Sequence, residues 1–542
     1  MSRHPISRRA ATAAVATALA ALLGVTHLRT ASDLLGTTEA SWTDREMVQS
    51  TFTVGGPVIG GPVNCTTPGR YSSASQARMT TGRLLGRDLS PLVDLAGVSA
   101  TNPGTGATAV PATTTPAGAD AFRNNLTVSA LNTALTTDLT GVLSLPLAGT
   151  NLGAYAQYAH AGSDGKATAA AGLISDTGAL TLGSASTLGD AASLDLAKLA
   201  PATAALAGVR LNVGALGARA TIDGCQAANG AASPERSYGI ATLNLRTAVP
   251  AVKAVGTTLT TQLGVLSSTV DGLETSLQST LKNVAAPLLA GSAATSTSTV
   301  NITLDLTALS NELLAPLSDG VVTLDLRTGL VTVDLAALLA GSGGLNGQAP
   351  NTELALTTLS TAVPARATTL LNTWKTQVQQ RLTAVLNAAA VELRLSVPPA
   401  LGIGTPKVLA IDSTLGGLLQ GSGTIRLDGA AAVGSLLSSL TGVLLPALGA
   451  VVNTALFAAP TGAVPTLVAA LTPAISAVGP ALAPVMSALA AVLTLTVNVQ
   501  DDPATGVHRV SALRIGVLPS TPAGTELRLA TAVVGPVTSL TP

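Results

Sequence analysis

The chain has 542 residues and no net formal charge, and it combines 47% hydrophobic residues with only 2% aromatic and 10% charged residues. This length predicts two or three domains or one extended array. High hydrophobicity with low charge argues against intrinsic disorder, because enough aliphatic surface is available to offset the chain entropy. A nucleic-acid partner is also excluded, since neutralising phosphates requires an excess of clustered Lys and Arg.

Residues 1–40 have the order of a secretory signal peptide. A positively charged start precedes an uncharged run of mostly Ala, Leu and Val at 10–25, which is short for a membrane span of about 20 residues. Small residues before the cut predict cleavage between Ala40 and Ser41. An uncleaved anchor helix is the alternative. Cleavage would place the mature chain outside the cytoplasm, at the cell surface or in the medium.

Cys65 and Cys225 are the two cysteines of the chain. In an oxidising compartment they predict one disulfide. It would close a loop of about 160 residues and contribute up to about 5 kcal/mol in the chain-entropy model. Two unpaired, buried thiols are the alternative. Neither cysteine has a second ligand at zinc-like spacing, so the sequence predicts no metal site.

Composition and periodicity divide the chain into consecutive regions and predict an α+β, β-rich fold, with antiparallel sheets and meanders packed against amphipathic helices. Within the N-terminal region, residues 101–119 are rich in Thr, Ala, Pro and Gly and are expected to form a linker. After the signal, the predicted regions are a Gly/Pro/Thr-rich segment with its linker (41–119), a β-rich region (120–246), a strand–helix–strand unit (247–350), a second helix-rich unit (351–492) and a C-terminal β-meander (493–542).

Strand signals recur through most of the chain. The clearest is 493–500, where perfect alternation of apolar and polar residues predicts a strand with one buried face. Strands at 507–518 and 525–529 would complete an antiparallel meander. The same alternation predicts earlier strands and hairpins at 172–182, 237–245, 301–306, 322–326 and 331–335.

Two segments change to a helical period. Apolar residues three and four positions apart predict amphipathic helices packed on a sheet; coiled-coil pairing between chains is the alternative. Each helix starts near a Thr-Ala-Val-Pro tetrapeptide, at 247–250 and 361–364, which suggests a duplicated unit. The two stripes consist of Val252, Val255, Leu259, Leu263, Leu266, Val270, Leu273, Leu277, Leu281 and Val284, and of Val363, Ala367, Leu371, Trp374, Val378, Leu382 and Val385.

Residues 429–500 contain no Asp, Glu, Lys, Arg or His. Repeated prolines and the absence of a basic flank favour helices and loops packed on a sheet. A membrane hairpin with spans near 433–458 and 463–492 is the alternative.

The mature chain offers few groups for catalysis. His160 and His508 are expected to be exposed or hydrogen-bonded rather than catalytic bases, and the sequence has no zinc-protease helix, phosphate loop, dinucleotide fingerprint or nucleophile elbow. Four aspartates in a Leu/Val-Asp-Leu context predict a solvated strand face; the alternatives are a carboxylate pair for glycoside hydrolysis and a calcium ladder. We therefore predict no catalytic, cofactor-binding or metal-binding residue. The four aspartates in the Leu/Val-Asp-Leu context are Asp195, Asp305, Asp325 and Asp334.

Seven short motifs follow one another in order along the chain: Ala40–Glu46, Val331–Leu339, Leu345–Gly347, Pro350–Leu354, Leu495–Gln500, Ala512–Ile515 and Leu527–Ala530. Together they resemble the choice-of-anchor G family of bacterial surface proteins. The resemblance implies export in Gram-positive bacteria of high genomic GC and one of several alternative C-terminal anchors; it implies no activity, cofactor or catalytic residue. Because the sequence ends without a sorting motif, span or basic tail, release or non-covalent retention is expected.

Export, an aliphatic core and the lack of recognisable chemistry predict a non-enzymatic exported cell-surface or extracellular protein with a structural or adhesive role. Its expected partners are components of the cell envelope or of extracellular surfaces, with no nucleic acid and no small-molecule substrate indicated. The alternatives are a secreted carbohydrate-active enzyme that uses strand carboxylates, and a membrane-active surface protein.

Overall fold

The computed structural model describes residues 65, 68–84, 87–89, 97–125, 143–144, 155–182, 192–199, 204–228, 234–339, 344–399, 405–428, 433–518 and 524–540. The predicted signal peptide, its cleavage position between Ala40 and Ser41, and the first family-like motif lie outside these residues. About 38% of the structure is helix and 39% is strand, arranged in antiparallel sheets. The predicted α+β, β-rich fold class is confirmed.

Sheet A joins the two ends of the described chain. Its strand order is β19 (Thr352–Glu353), β23 (Leu493–Ala504), β24 (Val507–Val517), β25 (Thr525–Val534), β1 (Tyr71–Leu84), β3 (Val98–Asn102) and β4 (Thr108–Val110), with β2 (Arg87–Asp88) and β26 (Thr538–Ser539) paired to β1. The predicted C-terminal meander is present as β23, β24 and β25. Its neighbour β1, the longest strand of the described residues, was not among the predicted strands.

Sheet B packs against sheet A to form a sandwich. Its order is β13 (Glu235–Ile240), β12 (Leu216–Asp223), β9 (Lys166–Leu173), β8 (Tyr155–Ala161), β6 (Ala121–Asn125) and β5 (Thr115–Gly118). Many of its buried side chains are alanines, such as Ala159, Ala169 and Ala218, which have no exposed surface. Small side chains fill much of the interior, beside the buried Tyr155 of β8. Within the expected linker at 101–119, the structure has β4, β5 and the end of β3.

Sheets C and D carry the helices. Sheet C has the order β16 (Leu317–Ser318), β17 (Val322–Asp325), β18 (Leu330–Asp334), β14 (Leu243–Ala248), β11 (Arg210–Val213), β10 (Ala192–Asp195) and β7 (Leu143–Ser144), and sheet D has the order β15 (Thr297–Thr303), β20 (Ala390–Val397), β21 (Lys407–Thr414) and β22 (Thr424–Asp428). The predicted pair of strands at 322–335 is present as the hairpin β17–β18. The predicted hairpin at 237–245 is wrong, because β13 belongs to sheet B and β14 to sheet C.

The α-helices of the described residues range from one turn to eleven turns. A π-helical segment at 440–444 joins α8 (Val433–Ser439) to α9 (Leu445–Val452), and a second at 453–457 extends α9 to Phe457. The helices are α1 (Leu196–Leu199), α2 (Gly224–Ala228), α3 (Pro250–Leu288), α4 (Leu306–Leu313), α5 (Leu335–Leu338), α6 (Leu359–Ala388), α7 (Leu415–Leu419), α8 (Val433–Ser439), α9 (Leu445–Val452), α10 (Ala463–Ser476) and α11 (Val478–Val492).

Helices α3 and α6 are the two predicted amphipathic helices. Every stripe residue is buried except Val284 and Val385, which are half-buried. α3 packs on β15 and α10, and α6 packs on α10 and α11. The shared tetrapeptides are not equivalent, however: Pro250 is the first residue of α3, whereas Pro364 lies inside α6, five residues after its start.

The uncharged block forms helices α8 to α11 and most of β23. Two stretches, Leu437–Phe457 and Ala463–Val492, are long and apolar enough to cross a membrane, although core helices of a soluble protein meet the same criterion. Helices α9, α10 and α11 within these stretches each turn one row of side chains into the protein: Leu448, Leu467 and Leu482, for example, have at most 1% exposure. These rows pack on α7, α3 and α6 respectively.

Two glycines of α3 should respond oppositely to alanine. A Cβ at Gly256 would collide with the carbonyl oxygen of Leu326, whereas a Cβ at Gly264 would meet no atom within 4 Å. We expect Gly264→Ala to raise the free energy of unfolding by about 1 kcal/mol through helix propensity, and Gly256→Ala to lower it by about 1–3 kcal/mol through overpacking. Urea unfolding of both variants measures this. Changes of the same sign in both would contradict the packing described.

Candidate binding groove

Three of the four aspartates in the Leu/Val-Asp-Leu context cap helices. Each one ends or follows a strand and precedes the first residue of a helix, so the leucine after it is helical rather than extended. Asp195, Asp325 and Asp334 are each the last residue of a strand and are half-buried, whereas the strand expected at 301–306 ends at Thr303, before Asp305. In each cap the aspartate Oδ1 accepts a hydrogen bond from a backbone N–H group of the helix. Asp195 accepts from Ala197 at 3.1 Å, and Asp334 accepts from Ala337 at 3.0 Å. Asp305 accepts from Thr307 at 3.0 Å and from Ala308 at 2.9 Å.

The fourth, Asp325, closes the turn between β17 and β18. The hydroxyl of Thr328 donates to its Oδ2 at 2.7 Å, and the backbone N–H of Arg327 donates to its Oδ1 at 2.9 Å. The Thr328 hydrogen bond is the main cause that lowers the pKa of Asp325. All four carboxylates are thus engaged by their own local turns. Among the described residues, no three His, Cys, Asp or Glu side chains come together in a metal-binding arrangement.

His160 and His508 lie in different surroundings. Burial lowers the pKa of His160, although the charges of Asp164 and Asp120 oppose it. His508 Nδ1 lies 2.9 Å from Asp502 Oδ1 and 2.9 Å from a guanidinium nitrogen of Arg236. This contact connects sheet A to β13 of sheet B.

Cys65 and Cys225 form the predicted disulfide, with their Cα atoms 5.6 Å apart. Cys65 lies six residues before β1 of sheet A, and Cys225 lies in α2, directly after β12 of sheet B. The bond therefore links the segments that flank the two layers of the sandwich. Cys225 has no exposed surface.

A groove lies between α6 and the free edge of sheet C. It encloses about 630 Å³ and continues into a second cavity of about 350 Å³ along the same helix. Trp374 forms part of its wall, and its indole Nε1 donates to the carbonyl of Leu313 at 2.8 Å. That bond fixes α6 against the end of α4, next to β16.

An ion pair closes each end of this groove. Arg366 donates to Asp319 Oδ2 at 3.0 Å near β16, and Arg381 lies 2.7 Å from Glu312 Oε1 at the α4 end. Burial alone would raise the pKa of Asp319, but hydrogen bonds from the 321 and 322 backbone N–H groups and from Arg366 hold the pKa below its usual value. The two arginines are about 22 Å apart along the helix.

The remaining lining of the groove is uncharged. It combines apolar residues, including Leu317 and Leu370, with the short polar side chains of Ser318, Thr369 and Thr373. Apolar surface with a few hydroxyl and amide groups suits an uncharged ligand segment held by burial and hydrogen bonds. This groove could not be predicted from local sequence patterns, because its two walls, 316–319 and 365–377, are far apart in the chain and neither carries a motif.

A sandwich of two antiparallel sheets, two helix-bearing sheets and one disulfide define the class: a disulfide-bonded, β-rich α+β protein. Within that class the chain belongs to the family described as Domain of unknown function (DUF8394), whose sequence model matches residues 75–535. The matched region begins within β1 and ends just after β25. No curated protein and no solved structure matches the chain.

Substitution of Asp305 separates a capping role from a chemical one. Asn can accept the same backbone N–H bonds, so Asp305→Asn should retain most of the stability, whereas Asp305→Ala should lower the free energy of unfolding by about 1 kcal/mol. Thermal unfolding measures both. Asp271→Ala, at an exposed position on α3, is the matched control and should change stability by less than about 0.5 kcal/mol. An Asn variant as unstable as the Ala variant would argue against capping.

Proposed function

We propose that this protein is an exported, non-enzymatic cell-surface or extracellular protein with a structural or adhesive role. The observation that carries the proposal is the Cys65–Cys225 disulfide. Disulfides persist in oxidising compartments and are rare in the cytosol, where thiols are kept reduced. A secretory signal at residues 1–40, as expected from the sequence, would deliver the chain to such a compartment.

Two further points support this proposal over the alternative of a carbohydrate-active enzyme. A pair of catalytic carboxylates must be free to reach a substrate, whereas Asp195, Asp305 and Asp334 accept backbone bonds at the starts of helices. The resemblance to choice-of-anchor G surface proteins, which implies no activity, agrees with a non-enzymatic role.

The groove along α6 is the surface that best suits an adhesive contact. Its uncharged lining lies between two ion pairs, and its combined volume is that of a site for several residues or sugar units of an envelope component. A contact of this kind would depend on burial of Leu370 and its apolar neighbours, with hydrogen bonds to hydroxyl groups such as that of Thr373.

Fractionation of the source cells tests the export part of the proposal. We expect an oxidised chain that begins at Ser41 in the medium or in the wall fraction, because signal cleavage and disulfide formation accompany export. Non-reducing electrophoresis, thiol labelling and N-terminal sequencing of each fraction measure this. A reduced chain that keeps Met1 and stays in the cytosol would refute the proposal.

A pair of threonine variants on α6 tests the adhesive part. Thr373 lines the groove, whereas Thr376 is exposed on the same helix outside it. We expect Thr373→Arg to weaken binding of the purified protein to cell-envelope fragments about tenfold, equal to about 1.4 kcal/mol, because a ligand bound in the groove would bury a charge that lacks a partner. Thr376→Arg should leave binding unchanged. Equal binding by both variants would exclude the groove as the contact.

A further inference from the structure

Several sheet edges of this protein are covered by side chains that hydrogen-bond to the outer backbone. On β15, the N–H of Ile302 donates to Glu274 Oε1 at 2.8 Å. On β13, the side-chain amide of Asn346 accepts from the N–H of Ile240 at 2.8 Å and donates to its carbonyl at 3.0 Å. Such covers prevent an exposed strand edge from pairing with another chain.

Strand β22, at the other edge of sheet D, has no such side-chain cover among the described residues. It comprises Thr424–Asp428 and has neither Gly nor Pro within it. Ile425 and Leu427 are half-buried on the side of the core, whereas Thr424, Arg426 and Asp428 are exposed on the other face. In the part of the chain that the structure describes, no side chain bonds to this strand, and Arg426 and Asp428 have no ion-pair partner.

We propose that β22 pairs antiparallel with β22 of a second copy of this chain, so that sheet D continues across a two-fold axis. In the register that places Leu427 opposite its own counterpart, Arg426 lies opposite Asp428 of the second copy, and Asp428 lies opposite Arg426 of the second copy. Directly opposed side chains in an antiparallel pair have Cβ atoms about 5 Å apart. The exposed face of the edge is thus complementary in charge to itself.

The same register also continues the apolar face of the sheet. Side chains alternate along a strand, so the two Leu427 side chains lie on the core side while the two Arg–Asp pairs lie on the solvent side. A shift by two residues, the smallest that keeps the apolar side chains of both copies on the same face, would place Arg426 opposite Arg426 of the second copy. Directly opposed like charges destabilise a strand pair. Charge therefore selects this register.

This self-complementarity is the reason to choose a second copy as the partner. An isologous contact uses the same surface patch on both subunits, and two-fold dimers are the commonest assemblies of soluble proteins. A strand of five residues buries little surface compared with the roughly 1,200–2,000 Å² of stable interfaces. The dimer is accordingly weak and depends on protein concentration. The inference is independent of export and of the groove.

Charge reversal in the full, oxidised chain tests the proposal by sedimentation velocity over a range of concentrations. Arg426→Asp and Asp428→Arg each replace two attractive contacts by two repulsive ones, and each should weaken dimerisation about tenfold or more. The double variant Arg426→Asp/Asp428→Arg restores opposite charges with the order reversed, and it should dimerise as the wild type does. Lys253→Asp, an exposed charge change on α3, is the control and should have no effect.

Three outcomes would overturn the proposal. The first is a wild-type chain that remains monomeric up to its solubility limit. The second is a dimer that neither single reversal weakens, which would place the contact elsewhere. The third is a dimer that both single reversals weaken but the double variant does not restore, which would indicate a different register or a different partner. Circular dichroism of each variant ensures that a loss of dimer is not a loss of fold.

Discussion

The pairing of β1 with β25 is the constraint on which the rest of the structure depends. The register runs from Ser75 opposite Val534 to Arg83 opposite Glu526, so strands from the two ends of the described chain lie side by side within sheet A. Without β1, the C-terminal meander would lose a hydrogen-bonded neighbour, and sheet B would lose part of its packing surface. Closing so long a loop costs conformational entropy, which the contacts of this strand pair must offset.

The disulfide acts on the same part of the molecule. It connects the approach to β1 with the end of β12, and therefore limits how far the two layers of the sandwich can separate when the chain is unfolded. In the chain-entropy model a cross-link over so long a loop contributes up to about 5 kcal/mol. Because alanines fill much of the sandwich interior, each buried side chain contributes less than a Leu or Phe would. The covalent link compensates for that modest core.

Periodicity in the sequence was enough for elements whose own apolar spacing marks one buried face. The stripes of α3 and α6, the β17–β18 hairpin and the C-terminal meander all follow from apolar spacing alone. It failed at 237–245, because alternation continues through a chain segment that leaves sheet B and enters sheet C. It also failed at Asp305, where the same Leu/Val-Asp-Leu pattern marks the change from strand to helix. The groove, built from 316–319 and 365–377, depends on tertiary packing that no local pattern records.

Asn346 and Asn351, which belong to the short motifs Leu345–Gly347 and Pro350–Leu354, each have a structural role. The side chain of Asn346 pairs with Ile240 on sheet B, and that of Asn351 donates to the carbonyl of Gln500 at 2.8 Å and accepts from its N–H at 3.0 Å on sheet A. Each primary amide reproduces the donor and acceptor of a backbone peptide group. Hydrogen bonds at strand edges therefore join the sheets, together with the contact of Arg236 with Asp502 and His508 that connects sheets A and B. A strand edge that no such amide covers keeps its backbone N–H and C=O groups available, and contacts with other chains form at such an edge.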